Sequence, residues 1–338
     1  MAFVHLHNHT EYSMLDGATK IKDMVRRAAD LDMPAVAITD HGVMCGVPEL
    51  CDACDAVEKE TGKRVKPIYG CEIYFTEDPE IGTKNKSRLY HMVLLAKNNV
   101  GYHNLVHLVS ESHCDNFYYK PRTTIDMLRR YSEGIIASSA CIAGIIPRCI
   151  DARDFEGAVK WAQTLASIYE PGDFYIELQN QGIMTNNGMT QQQMNVELTK
   201  IANQLGLKTI ATNDFHYLTP EDARAQDIML CIGTGSNMDD ENRMRFENDQ
   251  FYMKTEEEMR PAMRDFPEAC DNTVELAEKC HVELERDSIL PRFPLPEGET
   301  EESWFRTMRW ASSSSRASLR TSSLCRNTSN GPAARVSA

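Results

Sequence analysis

His5, His7 and His9 fall within Phe3-Val-His-Leu-His-Asn-His-Thr10, almost at the start of the chain. An extended strand sends alternate side chains to one face, so His-x-His at a strand end aims two imidazoles at one point. Imidazole is the commonest side-chain metal ligand near neutral pH, and two converging rings make half of a metal site. The bland alternative is a solvated, His-rich terminus. Val4 and Leu6 argue against it by alternating as buried strand residues should, and no oligo-His run is present.

Similar fragments recur downstream. Ala35-Val-Ala-Ile-Thr39 ends in Asp40-His41-Gly42, and Pro67-Ile-Tyr-Gly-Cys71 runs into Glu72. A further strand opens at Tyr90-His91, Gly134 to Ala140 ends in Cys141, and Thr209 to Thr212 ends in Asn213-Asp214-Phe215-His216. Taken singly, Asp40 or Asp214 reads as a helix cap, His91 as a core histidine and Cys141 as a small apolar filler. Caps and fillers do not explain five strand ends that all carry metal-ligand chemistry.

These groups need a scaffold that brings strand ends together. Strands are expected at Phe3 to His7, Ala35 to Thr39, Val65 to Phe75, Tyr90 to Ala96, Gly134 to Ser138, Phe174 to Leu178 and Lys208 to Thr212. Between them lie amphipathic helical stretches such as Ile21 to Asp32, Val47 to Thr61, Asp154 to Tyr169 and Gln191 to Leu205. Repeated β-then-α units with β-branched strands imply a parallel sheet, and seven units favour a closed α/β barrel over an open one. In such barrels the carboxyl ends of the strands form the active-site rim.

Composition sets the limits. The chain has 338 residues, 42% hydrophobic and 25% charged, ordinary for one large globular domain plus a smaller piece. No apolar run is long enough to span a membrane, and the N-terminus enters a His-rich strand directly, so no membrane association and no signal peptide are expected. The 11 scattered cysteines suit a reducing cytoplasm better than a disulfide framework. Cys51-Asp-Ala-Cys54 falls in a helical stretch without a second pair and reads as incidental. A net charge of −14 argues against a broad phosphate-binding surface, although bound divalent ions can supply positive charge locally. From Ser303 to Ala338 there are six Arg and no Asp, Glu or Lys. That Ser/Arg-rich end reads as a disordered tail, either a basic nucleic-acid-binding arm or a non-native, frameshifted end.

As a set, these residues carry a family resemblance. His7-Asn-His9 with Thr10 to Gly17, Thr39-Asp-His41-Gly42, Gly70-Cys-Glu72, the His91 strand, Ser139-Ala-Cys141 and Thr212-Asn-Asp214-Phe-His216 resemble the polymerase-and-histidinol-phosphatase (PHP) domain. Phe117-Tyr-Tyr-Lys-Pro-Arg122, Met253 to Met259 and Leu290 to Ser303 are similar, more narrowly, to the PHP domain at the N-terminus of bacterial DNA polymerase III alpha subunits. The likeness runs to about residue 305, short of a polymerase palm. It implies a distorted (β/α)7 barrel resembling a TIM barrel over residues 1–285, a linker over 286–305, and a tail over 306–338.

The resemblance also implies two to three divalent ions, Zn²⁺, Mn²⁺ or Fe²⁺, on nine ligands. One site would use His7, His9, Glu72 and Asp214; a second would share Glu72 and add His91 and Cys141; a third would use Asp16, His41 and His216. The mixture of imidazole, carboxylate and one thiolate suits those metals better than Mg²⁺. Glu72, Asp214 and His216 are expected at the chemistry, with Asp40 orienting an imidazole. With all nine present, the implied activity is a metal-dependent 3′–5′ exonuclease acting on DNA 3′ ends in replication, partnered by other DNA polymerase III holoenzyme subunits. DNA synthesis would belong to a full-length relative. A free-standing phosphoesterase, such as a histidinol phosphatase, and a catalytically silent partner-binding domain are the alternatives.

Overall fold

The computed structural model describes residues 2–77, 88–285, 295, 298–300 and 302–304. The chain divides into two units, Met1–Leu284 and Glu285–Ala338. The expected linker and tail fall in the second, almost entirely outside the described residues.

The strands of the first unit are β1 (Ala35–Ile38), β2 (Lys66–Phe75), β3 (Tyr90–Ala96), β4 (Phe117–Tyr118), β5 (Lys120–Thr123), β6 (Ile135–Ser138), β7 (Phe174–Gln179) and β8 (Lys208–Thr212). Helices α1 (Ile21–Asp30), α2 (Val47–Thr61), α3 (Asn99–Cys114), α4 (Ile125–Arg130), α5 (Ile145–Asp151), α6 (Phe155–Ala166) and α7 (Gln191–Leu205) alternate with them. Helices α8 (Ala223–Thr234), α9 (Glu256–Ala262) and α10 (Pro267–Lys279) follow. Among the described residues no helix is long and apolar enough to cross a membrane, and every described cysteine is free.

Local sequence explains the helix limits. In α1 the buried Ile21, Met24, Val25, Ala28 and Ala29 repeat at helical spacing, a stripe that packs against α2. Thr190 and Gln193 form a reciprocal capping box that starts α7, and Gly206 ends it in the left-handed conformation. Val47–Thr61 and Gln191–Leu205 match the expected helices, and Tyr90–Ala96 matches the expected strand.

The fold is α/β, a distorted barrel, but two expectations need correction. The sheet is not all parallel: β3 is antiparallel to both β2 and β6, whereas β1–β2, β6–β7 and β7–β8 are parallel. Only 14 residues, 76–89, connect β2 to β3, short for the helical crossover that a parallel pair usually needs. Phe3 to His7 is not a regular strand either. It occupies a strand's place by irregular bonds between β1 and the segment after β8. Ala37 N–H donates to His5 O (3.0 Å), Thr39 N–H to Asn8 O (3.1 Å) and His9 N–H to Phe215 O (2.9 Å). Side chains complete the join, with the Asn8 amide donating to Ala37 O and the Thr39 hydroxyl accepting from Asn8 N–H.

Alternation along the strands then builds the site. Val4, Ala37, Ile68, Val93, Ile136, Tyr175 and Ile210 belong to one buried apolar cluster, to which α10 adds Leu276, Ala277 and Cys280. Side chains an even number of positions away share their face. On β2, β6, β7 and β8 those next positions are Glu72, Ser138, Glu177 and Thr212, all buried. On β3, which runs the other way, it is His91, at the start of the strand. An apolar floor therefore gives way to a polar rim.

Candidate metal centre

Glu72 lies at the middle of the rim. Its Oε1 is 3.1 Å from His7 Nε2, 2.8 Å from His91 Nδ1 and 3.9 Å from Cys141 Sγ. Its Oε2 is 2.6 Å from His41 Nδ1 and 3.6 Å from His9 Nε2. Asp214 Oδ1 sits 3.3 Å from His7 Nε2 and 3.1 Å from His9 Nε2. Asp16 closes the other side, with Oδ2 3.0 Å from His41 Nε2 and Oδ1 3.9 Å from His216 Nε2. Cys141 Sγ is 3.7 Å from His91 Nδ1. All nine residues singled out in the sequence thus meet in one place. They do not divide into three separate groups, because His9 and His41 each belong to two of the close ligand triplets.

The donor atoms fit metal ions. Five buried atoms in the centre, His7 Nε2, His9 Nε2, His41 Nδ1, Glu72 Oε2 and Asp214 Oδ1, crowd against one another without a well-aligned hydrogen bond. Buried polar atoms are normally satisfied, so five convergent exceptions mark a place built for something else. The opposite nitrogens of three rings are anchored. His7 Nδ1 lies 2.6 Å from Glu177 Oε1, His9 Nδ1 2.9 Å from Ser13 Oγ, and His216 Nδ1 2.8 Å from Asp214 O. Anchoring Nδ1 as the N–H donor turns each Nε2 lone pair inward, the arrangement metal-binding histidines need.

Electrostatics without ions is tense. Burial opposes a charge on His41, but Glu72 and Asp16 on either side raise its pKa to about 10. Burial opposes it on His7 too, yet Asp214, Glu177 and Glu72 together hold that pKa well above the ordinary value. Burial, with His41 and His216 nearby, lowers His9 to about 3. Against the cost of burial, neighbouring imidazoles hold Glu72 and Asp214 well below the usual carboxylate range. Burial, reinforced by Glu72 and Asp214, pushes the Cys141 thiol up, so it stays protonated until a metal displaces its proton.

Backbone strain gathers here. Leu15, Ala140 and Asp214 all have positive φ (62°, 57° and 47°), and each is a ligand candidate or adjoins one. Such conformations persist where the surrounding structure over-determines them, commonly at functional sites. Gly17, after Asp16, packs so closely that a Cβ would lie 2.2 Å from Thr10 O.

Asp40 lies one step away from the rings. No described hydrogen bond joins its carboxylate to an imidazole. It accepts from Thr10 N–H (2.7 Å), the Thr10 hydroxyl (2.8 Å) and the Ser13 hydroxyl (2.6 Å). Ser13 thus links Asp40 to His9, its hydroxyl lying 2.9 Å from His9 Nδ1.

Sequence reasoning missed Glu177, Arg148 and Arg245. Glu177 is 1% exposed and is tied to His7, Ser138, Gln179 and Thr212. Its signal was available: one acid inside Phe174-Tyr-Ile-Glu-Leu-Gln179, a strand buried throughout. Arg148 and Arg245 line a cavity of about 320 Å³ at the mouth of the centre, with His91, Cys141, Asp214 and Phe246. Neither arginine has a carboxylate partner among the described residues. Nothing in their local sequence marks them.

Residues 5–181 match the PHP domain family. The chain is 44% identical over 281 residues to the DNA polymerase III subunit alpha of Borreliella burgdorferi, covering 82% of this chain and 24% of that protein. It is 39% identical over 322 residues to the subunit of the same name from Thermus aquaticus, covering 91% of this chain and 25% of that protein. The match is to the N-terminal region of these proteins, and the chain spans about a quarter of their length. Among solved structures, a putative metal-dependent phosphoesterase from Bifidobacterium adolescentis aligns with 77% of this chain and 96% of its own at 14% identity and a TM-score of 0.37. This chain belongs to the PHP domain family, in the form found at the N-terminus of DNA polymerase III alpha subunits.

Proposed function

We propose that this domain is a metal-dependent phosphodiesterase that removes nucleotides from DNA 3′ ends in replication. The observation that carries the reading is the set of five buried ligand atoms, on His7, His9, His41, Glu72 and Asp214, that converge without well-aligned hydrogen bonds beside a cavity walled by two arginines with no carboxylate partner among the described residues. Divalent ions there, Zn²⁺, Mn²⁺ or Fe²⁺, would be held by these residues with Asp16, His91, Cys141 and His216, and would acidify water and neutralise phosphate charge.

The chain's own residues have separable tasks. Glu72, close to five other members of the set, is the shared carboxylate, and Asp214 joins His7 to His9. Glu177 fixes the ring of His7, while Asp40 fixes that of His9 through Ser13. Arg148 and Arg245 meet the phosphate, for which a planar guanidinium is suited. Hydrolysis of the last phosphodiester forms one P–O bond from water and breaks the P–O3′ bond. The products are a nucleoside 5′-monophosphate and a strand one residue shorter.

The whole-protein context is part of the proposal: the chain works as the N-terminal portion of an alpha subunit, with a DNA 3′ end and other holoenzyme subunits as partners, in the cytoplasm. Metal content measured together with digestion of 3′-labelled single-stranded DNA tests it. Metal uptake with 3′-end trimming is the expected result. Rapid hydrolysis of histidinol phosphate without DNA trimming would replace it with the small-molecule phosphatase, and metal uptake without either activity with the silent domain.

A further inference from the structure

A second cavity, of about 410 Å³, adjoins the centre, and its walls include Tyr12, Met14, Tyr74, His113, Lys120 and Met244. Asp16, His41 and Met244 wall both cavities, so the two are neighbours across the candidate metal centre. Each falls within the range of about 300–1,000 Å³ that accommodates small-molecule groups. One cavity would serve a small phosphate ester. The second needs a substrate that continues past the reacting phosphate.

Its chemistry is specific. Lys120 opens β5 in the short β4–β5 hairpin, its Nζ 3.1 Å from the Tyr74 hydroxyl and 4.9 Å from the centre of the Tyr74 ring. No carboxylate pairs with Lys120 among the described residues. On a chain of net charge −14, Lys120 joins Arg148 and Arg245 as positive charge gathered beside the centre. Tyr74 in turn stacks on His41 at 6.1 Å between ring centroids. Exposed apolar side chains share the cavity wall with the cation, Met14 at 83% and Met244 at 55%, and Tyr119, next to Lys120 at the hairpin tip, is 82% exposed. A cation for phosphate beside aromatic and thioether faces for bases is how proteins hold single-stranded nucleic acid without reading its sequence.

We propose that this second cavity is a strand-binding arm, in which Lys120 contacts a phosphate of the single strand adjoining the bond to be cut and Tyr12, Met14 and Met244 face its bases. This rests on the phosphodiesterase reading above and adds what makes the site prefer a polynucleotide to a small ester. Lys120 is an exposed hairpin residue, so its replacement leaves the buried core intact.

The test uses the full chain with Lys120→Ala and Lys120→Arg. Anisotropy of a labelled oligothymidylate measures binding across a salt series, and kcat/KM is compared for that oligonucleotide and bis(p-nitrophenyl) phosphate. Lys120→Ala should weaken binding roughly tenfold, the size of one charge-assisted contact. It should reduce the slope of log K against log salt by about 0.7, one phosphate contact on a single strand. It should also lower the oligonucleotide-to-small-ester ratio of kcat/KM, and Lys120→Arg should restore all three. Unchanged binding in Lys120→Ala overturns the arm. So does an equal fall on both substrates, which would make Lys120 a support for His41 through Tyr74. If the wild type cleaves neither substrate, the phosphodiesterase reading fails while binding still decides the arm.

Discussion

His7 Nδ1 and Glu177 Oε1 lie 2.6 Å apart, joining residues 170 positions distant in the chain. The contact fixes which nitrogen of His7 faces Glu72 and Asp214. Glu177 is held in turn by the Ser138, Thr212 and Gln179 side chains. Glu177→Gln keeps the shape and removes the charge. Metal affinity, followed by competition with a chromogenic chelator, should fall about 10- to 100-fold, the usual cost of losing such a support. Wild-type affinity in the variant would show that His7 needs no anchor.

Ions that bind only the folded chain stabilise it by mass action, about 4 kcal/mol per site at a thousandfold excess over Kd. The purified protein should therefore carry two or three transition-metal ions by elemental analysis, and chelation should lower its Tm. A preparation that neither holds nor takes up Zn²⁺ or Mn²⁺ contradicts the assignment.

Glu72→Ala removes the carboxylate that both oxygens place against neighbouring histidines. Nuclease activity should vanish, whereas His281→Ala, at an exposed position whose backbone N–H bonds to Lys97 O, should match the wild type. Digestion of DNA by Glu72→Ala at the wild-type rate would trace the cleavage to another site.

Proton release should accompany metal uptake. With His41 raised to about 10 and His7 also raised, both rings are cationic near pH 7 in the metal-free chain, and Cys141 is a neutral thiol. Ligands bind deprotonated, so affinity should rise with pH, and calorimetric heats should change with the ionisation enthalpy of the buffer. Heats independent of buffer would refute this. For the metal-free chain the sign is opposite. The raised His41 pKa gives stability that is complete below its ordinary value of 6.5 and is lost as pH climbs through about 10. A metal-free Tm that rises over that window would count against the His41–Glu72–Asp16 ion pairs.

The sequence by itself determined the inventory. Period-two alternation and β-branched residues set most strands, helical spacing set α2 and α7, and rare residue types at strand ends exposed eight of the nine ligand candidates, Asp16 coming only from the family resemblance. Those signals are local, a matter of a few neighbours along the chain. What the tertiary structure decided was direction and company. His91 begins its strand, and it reaches the rim only because β3 runs antiparallel to β2 and β6. Phe3 to His7 reads as a strand, but it is held by Ala37 on His5 O and by Thr273 on Val4 N–H, and the next residues by Thr39 and Phe215, so its path is set by partners remote in sequence. Asp40 stands beside His41 in the chain, yet its oxygens go to Thr10 and Ser13 and so serve His9. Glu177, Arg148 and Arg245 have no chemistry until folding brings them to His7 and to the mouth of the centre. Hydrogen bonds and charge interactions act through space, and spatial proximity across the chain is what a linear pattern does not carry.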